Sequence, residues 1–108
     1  MSGSVEEGAD PWQTAVRPRY TYVLDKCSPN ADEFVLHAFQ KNLITSREKE
    51  ELQLPKTKTQ RMDELVTILM RGGASTLTKF LDILNDIGKD KPDFTDLATE
   101  LGKKACGY

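Results

Sequence analysis

The sequence contains few of the residues that build metal centres, disulfide frameworks or membrane spans. Its 108 residues include only two cysteines, Cys27 and Cys106, and one histidine. No CxxC motif is present, and these side chains are too few for a zinc site, so we predict no metal and no cofactor. Two isolated cysteines are typical of free thiols in a cytoplasmic protein. Since no apolar run approaches the ~20 residues that span a bilayer, we expect no contact with a membrane.

Positive charge is not in excess either. The chain has 15 lysines and arginines against 17 acidic residues, which gives a net charge of -2 and disfavours binding to nucleic acid through bulk positive charge. The acidic N-terminus lacks the basic and apolar regions of a secretory signal. A chain of this length favours one domain. We predict a mobile acidic tail over residues 1–11, a helical domain over residues 12–104 and a short C-terminal tail over residues 105–108.

Apolar residues recur at helical spacing in the centre of the chain. Two stretches place them at i, i+3, i+4 and i+7: Met62, Leu65, Val66 and Leu69, then Leu77, Phe80, Leu81 and Leu84. Each set forms one stripe of an amphipathic helix. Between the stripes, Gly72 and Gly73 indicate a turn, because glycine takes the positive φ that ends a helix.

Capping signals place the starts of three helices. Asn30 with Glu33 has the form of an N-cap with a reciprocal acid for helix 2. Thr45 with Glu48 forms a capping box for a short helix 3, and Thr57 caps helix 4 together with Gln60. These positions predict helices that start close to residues 31, 46 and 58.

The two outer helices are less regular in sequence. Helix 1 shows an apolar face that ends at Cys27, with Pro18 expected in its first turn and a separate turn at Trp12–Val16 before it. Helix 1 is therefore predicted to be short or bent. Helix 6 carries a stripe from Phe94 to Leu101 and is expected to end at Gly102.

The fold class follows from these elements. No segment alternates in the manner of a strand, and the connections are short, so we predict an all-α bundle of six helices. Helical periodicity assigns seven residues to its core: Phe34, Leu65, Leu69, Leu77, Phe80, Leu84 and Leu97.

The order of these segments resembles the caspase recruitment domain (CARD), a family of the death-domain superfamily. The resemblance is carried by residues 43–52 (LITSREKEEL), 58–69 (KTQRMDELVTIL), Arg71-Gly72, 77–84 (LTKFLDIL) and 96–101 (DLATEL). It covers residues 13–102, and it is the order and spacing of the pieces that carry it. Thr76, where many relatives have alanine, and Arg17-Pro18-Arg19 in helix 1 depart from the common pattern, and no particular member is indicated.

The resemblance implies a fold, an activity and a set of contact residues. The fold would be the death fold, a six-helix antiparallel Greek-key bundle. The activity would be that of a non-catalytic adaptor that binds another CARD, in a caspase, adaptor or sensor, or binds itself as an oligomer or filament, to assemble apoptotic or inflammatory signalling complexes. Two complementary surfaces would serve this binding. The basic face comprises Arg17, Arg19, Lys26, Lys58 and Arg61. The acidic face comprises Asp32, Glu33, Glu48, Glu50 and Glu51.

Other interpretations of the same residues stay open. The charges can be the ordinary mixed surface of a soluble domain, and the domain can be a structural part of a larger assembly. An alternative function is a small helix-turn-helix DNA-binding domain, although residues 46–52 carry three glutamates against two bases, which phosphate groups would repel. No nucleophile and acid are singled out around His37, so we predict no catalytic site.

Overall fold

The computed structural model describes residues 11–105, and within that range the chain is all-helical without a β-strand. These described residues form six α-helices: α1 (Tyr20–Cys27), α2 (Ala31–Gln40), α3 (Ser46–Leu52), α4 (Lys58–Met70), α5 (Ala74–Gly88) and α6 (Pro92–Ala105). The all-α prediction is therefore confirmed. Apart from Pro11 and Ala105, the two predicted tails lie outside the described residues.

The first helical region is broken, as the sequence predicts. A π-helical turn, Trp12–Val16, leads into a 3-10 turn, Arg17–Arg19, and α1 begins only at Tyr20. Pro18 lies in the 3-10 turn and not in the first turn of the main helix. Proline has no backbone N–H to donate and fixes φ, so it fits this short element at the entry to α1.

Side-chain caps hold α3 and α4 as predicted. Thr45 and Glu48 form both bonds of a capping box, and Thr57 and Gln60 do the same. Asn30 is the N-cap residue of α2, as predicted, but its side chain accepts no hydrogen bond from the backbone N–H groups of the first turn. Its amide instead donates to Glu33 Oε1 at 2.5 Å. A 3-10 turn, Ser28–Asn30, leads directly into α2 and supplies its entry.

The turn between α4 and α5 has the predicted glycine conformation. Gly73 has a φ of 71°, a region that side chains with a Cβ rarely enter. Its carbonyl accepts a hydrogen bond from Trp12 Nε1 at 2.9 Å, and the same indole donates to Thr76 Oγ1 at 3.3 Å. The N-terminal turn is thereby fastened to the α4–α5 turn, 61 residues away in sequence.

The end of α6 differs from the prediction. Gly102 does not terminate the helix, which continues to Ala105 with Lys103 and Lys104 in its last turn. One glycine can be carried inside a helix at a cost of about 1 kcal/mol, which packing offsets. The α5–α6 corner depends on another glycine, because a Cβ on Gly88 would lie 2.1 Å from Thr95 Oγ1.

A line of aromatic rings forms the centre of the core. The Trp12 and Phe80 ring centroids are 5.5 Å apart, those of Phe34 and Phe80 are 5.9 Å apart, and those of Phe34 and Phe94 are 5.8 Å apart. These rings come from the N-terminal turn, α2, α5 and α6. All seven predicted core residues are buried, so the periodicity argument is confirmed for them.

Candidate protein-interaction surface

Lys58 is the clearest unpaired cation among the predicted contact residues. It is the first residue of α4, and the Thr57–Gln60 capping box fixes the start of that helix. Its side chain is exposed and makes no hydrogen bond or ion pair within residues 11–105. The N-terminal end of a helix is already partly positive. Lys58 adds to this potential, which makes the start of α4 a positive site for a carboxylate of another molecule.

Arg17 is a second cation that no carboxylate neutralises within the described chain. It is exposed at the start of the 3-10 turn, where Nη1 donates to the neutral Gln13 Oε1 at 3.0 Å. This hydrogen bond orients the guanidinium without cancelling its charge. Arg17 therefore keeps the capacity for a bidentate contact with an external carboxylate.

Arg61, predicted for the basic face, is bonded within the chain. Only 13% of its side chain is exposed, and Nη1 donates to Asp32 Oδ1 at 2.9 Å. Nε donates to the Leu52 carbonyl at 2.7 Å, and Nη2 donates to the Leu54 carbonyl at 3.4 Å. Arg61 and Asp32, predicted on opposite interaction faces, thus pair within the chain. Arg61 links α4 to α2 and to the end of α3.

Arg19 and Lys26 are likewise occupied within the chain. Arg19 forms an ion pair with Glu100 of α6, and its guanidinium lies 4.7 Å from the ring centroid of Tyr22. Lys26 lies 3.0 Å from Asp93 Oδ2 at the start of α6, and this hydrogen bond and the charge of Asp93 raise the pKa of Lys26. Both cations join the first helical region to α6.

The predicted acidic face divides in the same way. Glu33 accepts from Asn30 and lies 4.0 Å from Lys91 Nζ, while Glu48 Oε1 accepts the Thr45 backbone N–H at 2.8 Å. Glu50 and Glu51 are exposed on α3 and have no partner among the described residues. These two carboxylates are the members of the predicted acidic face that make no hydrogen bond or ion pair within the described chain.

Two surface grooves flank the outer side of α4. The basic groove lies between the N-terminal region and the end of α4, has a volume of about 450 Å³ and is lined by Arg17, Tyr20, Thr67, Met70 and Arg71. The acidic groove lies between α3 and α4, has a volume of about 250 Å³ and is lined by Glu48, Glu51, Glu64, Thr67, Ile68 and Arg71. Thr67 and Arg71 line both grooves, and we call this pair the α4 ridge.

The sequence did not reveal Arg71 as a surface residue of interest, because only its position in the turn was informative. It also gave no sign that Lys56, of which 13% of the side chain is exposed, would pair with Glu64 at 2.7 Å. Lys56 lies in the connection between α3 and α4, so its partner is set by how this connection packs against α4. An i, i+8 spacing carries no recognisable signal for an ion pair.

The buried thiol of Cys27 lies apart from these surfaces. Burial raises the pKa of the Cys27 thiol to about 12, which keeps the thiol protonated and unreactive. Within residues 11–105 no three His, Cys, Asp or Glu side chains come together in a way that could hold a metal ion. No helix in that range has the length and apolar character needed to cross a membrane.

Comparison of the chain with protein-family models, curated proteins and solved structures finds no match.

Proposed function

We propose that this chain is a homotypic protein-interaction module with the six-helix Greek-key death fold, acting in the cytoplasm as an adaptor in signalling complexes. The observation that carries the proposal is a separation of unpaired charge. Lys58 and Arg17 are exposed cations with no carboxylate partner in the described chain. Glu50 and Glu51 are exposed anions with no cationic partner there. Five other predicted contact residues form charge pairs inside the fold.

This separation of unpaired cations from unpaired carboxylates favours binding to another domain of the same kind. Cations at the start of α4 and before α1 on one molecule complement carboxylates on α3 of the next. Because the two surfaces differ, the contact is heterologous and can repeat into an oligomer or filament. The same surfaces suit a different CARD that carries one complementary face. Exposed ion pairs contribute only about 0.2–1 kcal/mol each. We therefore expect a single contact to be weak and sensitive to salt, and binding to become strong only when many domains assemble.

The test is the mass of the full chain in solution, by size-exclusion chromatography with light scattering, at rising concentration and at low and high salt. We expect wild type to grow in mass at low salt and Lys58→Glu to stay smaller. Lys79→Glu is the matched control, because Lys79 is exposed on α5 and has no partner in the described chain. Circular dichroism checks that each variant is folded.

A folded wild type that stays monomeric under all conditions contradicts self-assembly, and the search then moves to a different CARD as the partner. Equal behaviour of Lys58→Glu and Lys79→Glu contradicts the surface assignment. In that case the charges serve only as the ordinary surface of a soluble domain.

A further inference from the structure

The outer side of α4 carries a stripe of four residues, of which Thr67 and Arg71 are exposed and Ile68 is half-buried against the core. Glu64, Thr67, Ile68 and Arg71 stand at i, i+3, i+4 and i+7, so they follow one another along this side, and all of them line the acidic groove. The opposite side of α4 is buried through Met62, Leu65, Val66 and Leu69. The α4 ridge therefore projects from the bundle with a groove on each side.

The ridge and the acidic groove have complementary charge. Arg71 is exposed and forms no ion pair with a carboxylate of the described chain. In the acidic groove, Glu51 is exposed without a partner, and Glu48 is bonded only to the neutral Thr45 backbone. Glu64 is paired with Lys56. A guanidinium entering this groove from outside would meet two carboxylates, of Glu48 and Glu51, that form no ion pair within the described chain.

We propose that a second copy of this chain covers the outer side of α4, with Arg71 of each copy in the acidic groove of the other. A ridge that lies beside a groove of opposite charge is self-complementary under a two-fold rotation. Two α4 helices can then cross with each ridge in the neighbouring groove, as helices commonly pack. Such a contact is isologous and closes at two chains.

The closed dimer differs from the open assembly of the proposed function. The open assembly uses Lys58 and Arg17 against Glu50 and Glu51, whereas the dimer uses Arg71 against Glu48 and Glu51. Glu51 belongs to both contacts, so formation of the dimer competes with growth of the open assembly. This competition rests on the proposed function, but the dimer itself does not.

The contact along α4 is short, because the eight residues from Glu64 to Arg71 rise only about 10 Å along a helix. An interface of this length is at the small end of specific protein contacts, so the dimer is weak and depends on its charged pairs. We expect a charge reversal at one of these pairs to raise the dissociation constant at least about tenfold.

The experiment is sedimentation velocity on the full chain in the Lys58→Glu background, which blocks the open assembly. Arg71→Glu and Glu51→Arg are added singly, and Lys79→Glu is the control. We expect the background protein and the control to saturate at two chains as concentration rises over about a hundredfold range. Each single reversal should need at least about tenfold more protein than the background to reach the same fraction of dimer. An equimolar mixture of the two reversals should recover a dimer, because each copy then supplies the charge that the other needs.

Four results overturn the proposal: a background protein that remains monomeric, a mass that grows beyond two chains, a control as weak as Arg71→Glu, or no recovery in the mixture. Circular dichroism establishes that each variant is folded. The proposed function is tested separately, by comparing the mass of wild type with that of Lys58→Glu, because this comparison does not change Arg71 or Glu51.

Discussion

The role of each charged residue depends on its nearest partner, and that partner is often distant in sequence. Arg61 and Asp32 are 29 positions apart and meet across α4 and α2, while Arg19 and Glu100 are 81 positions apart. A sequence pattern identifies charged helix faces, but it does not show which charges pair inside the fold. For this reason the predicted faces reduce to Lys58 and Arg17 on one side and to Glu50 and Glu51 on the other.

Trp12 is the residue whose loss should be most damaging. It is fully buried, it packs against Phe80, and its indole fastens the N-terminal turn to Gly73. Trp12→Ala should lower the free energy of unfolding by about 3–5 kcal/mol, as measured by urea unfolding followed by circular dichroism. Leu36→Ala is the control, because Leu36 is 49% exposed on α2 and should change stability by no more than about 0.5 kcal/mol. Equal losses would contradict the assigned role of Trp12.

Tyr20 should make the fold sensitive to alkaline pH. Burial, followed by its hydrogen bond to Asp63, raises the pKa of the Tyr20 hydroxyl from 10.0 to about 12. As pH rises, the unfolded chain therefore loses this proton before the folded chain does. The contribution of Tyr20 to the free energy of unfolding is fully present below pH 10.0 and is lost as pH rises towards about 12. Chemical unfolding across this range should show a smaller decline in Tyr20→Phe than in wild type. A parallel decline in the two proteins would contradict the prediction.

At the scale of helices, local chemistry accounts for most of the boundaries. The capping boxes at Thr45 and Thr57 and the positive φ of Gly73 all lie where the sequence places them. The exception is Gly102, which does not end α6. Asn30 does stand at the start of α2, but without the predicted side-chain cap, and a 3-10 turn leads into the helix there. The break before α1 was predicted, but the π-helical turn at its start was not, because that conformation has no clear sequence signal.

The two capping boxes should contribute separately to stability. Thr45→Ala and Thr57→Ala each remove an acceptor for a backbone N–H, so each should lower the free energy of unfolding by about 0.5–2 kcal/mol. Thr59→Ala is the control, since Thr59 is exposed within α4 and alanine is the better helix former. Urea unfolding measures all three variants. A loss in Thr59→Ala as large as in Thr57→Ala would contradict the cap assignment.

At the scale of the whole molecule, sequence periodicity predicts an all-α fold and its core, but not the arrangement of its surfaces. That α3 and α4 enclose an acidic groove, and that Arg71 stands between this groove and a basic one, follows from how the helices pack together. Helix packing leaves unpaired cations near the start of α4 and unpaired carboxylates on α3. The proposed activity depends on this arrangement.

The most direct test of the account is complementation between two assembly-deficient variants, Lys58→Glu and Glu50→Lys, followed by light scattering at low salt. Neither change touches Arg71 or Glu51, so the closed dimer is preserved in both. We predict that each variant alone stops at two chains and that an equimolar mixture grows beyond two, because a restored charge pair is then available between the two kinds of chain. If the folded variants grow as wild type does, or if their mixture gains nothing over either alone, assembly through these complementary faces is contradicted.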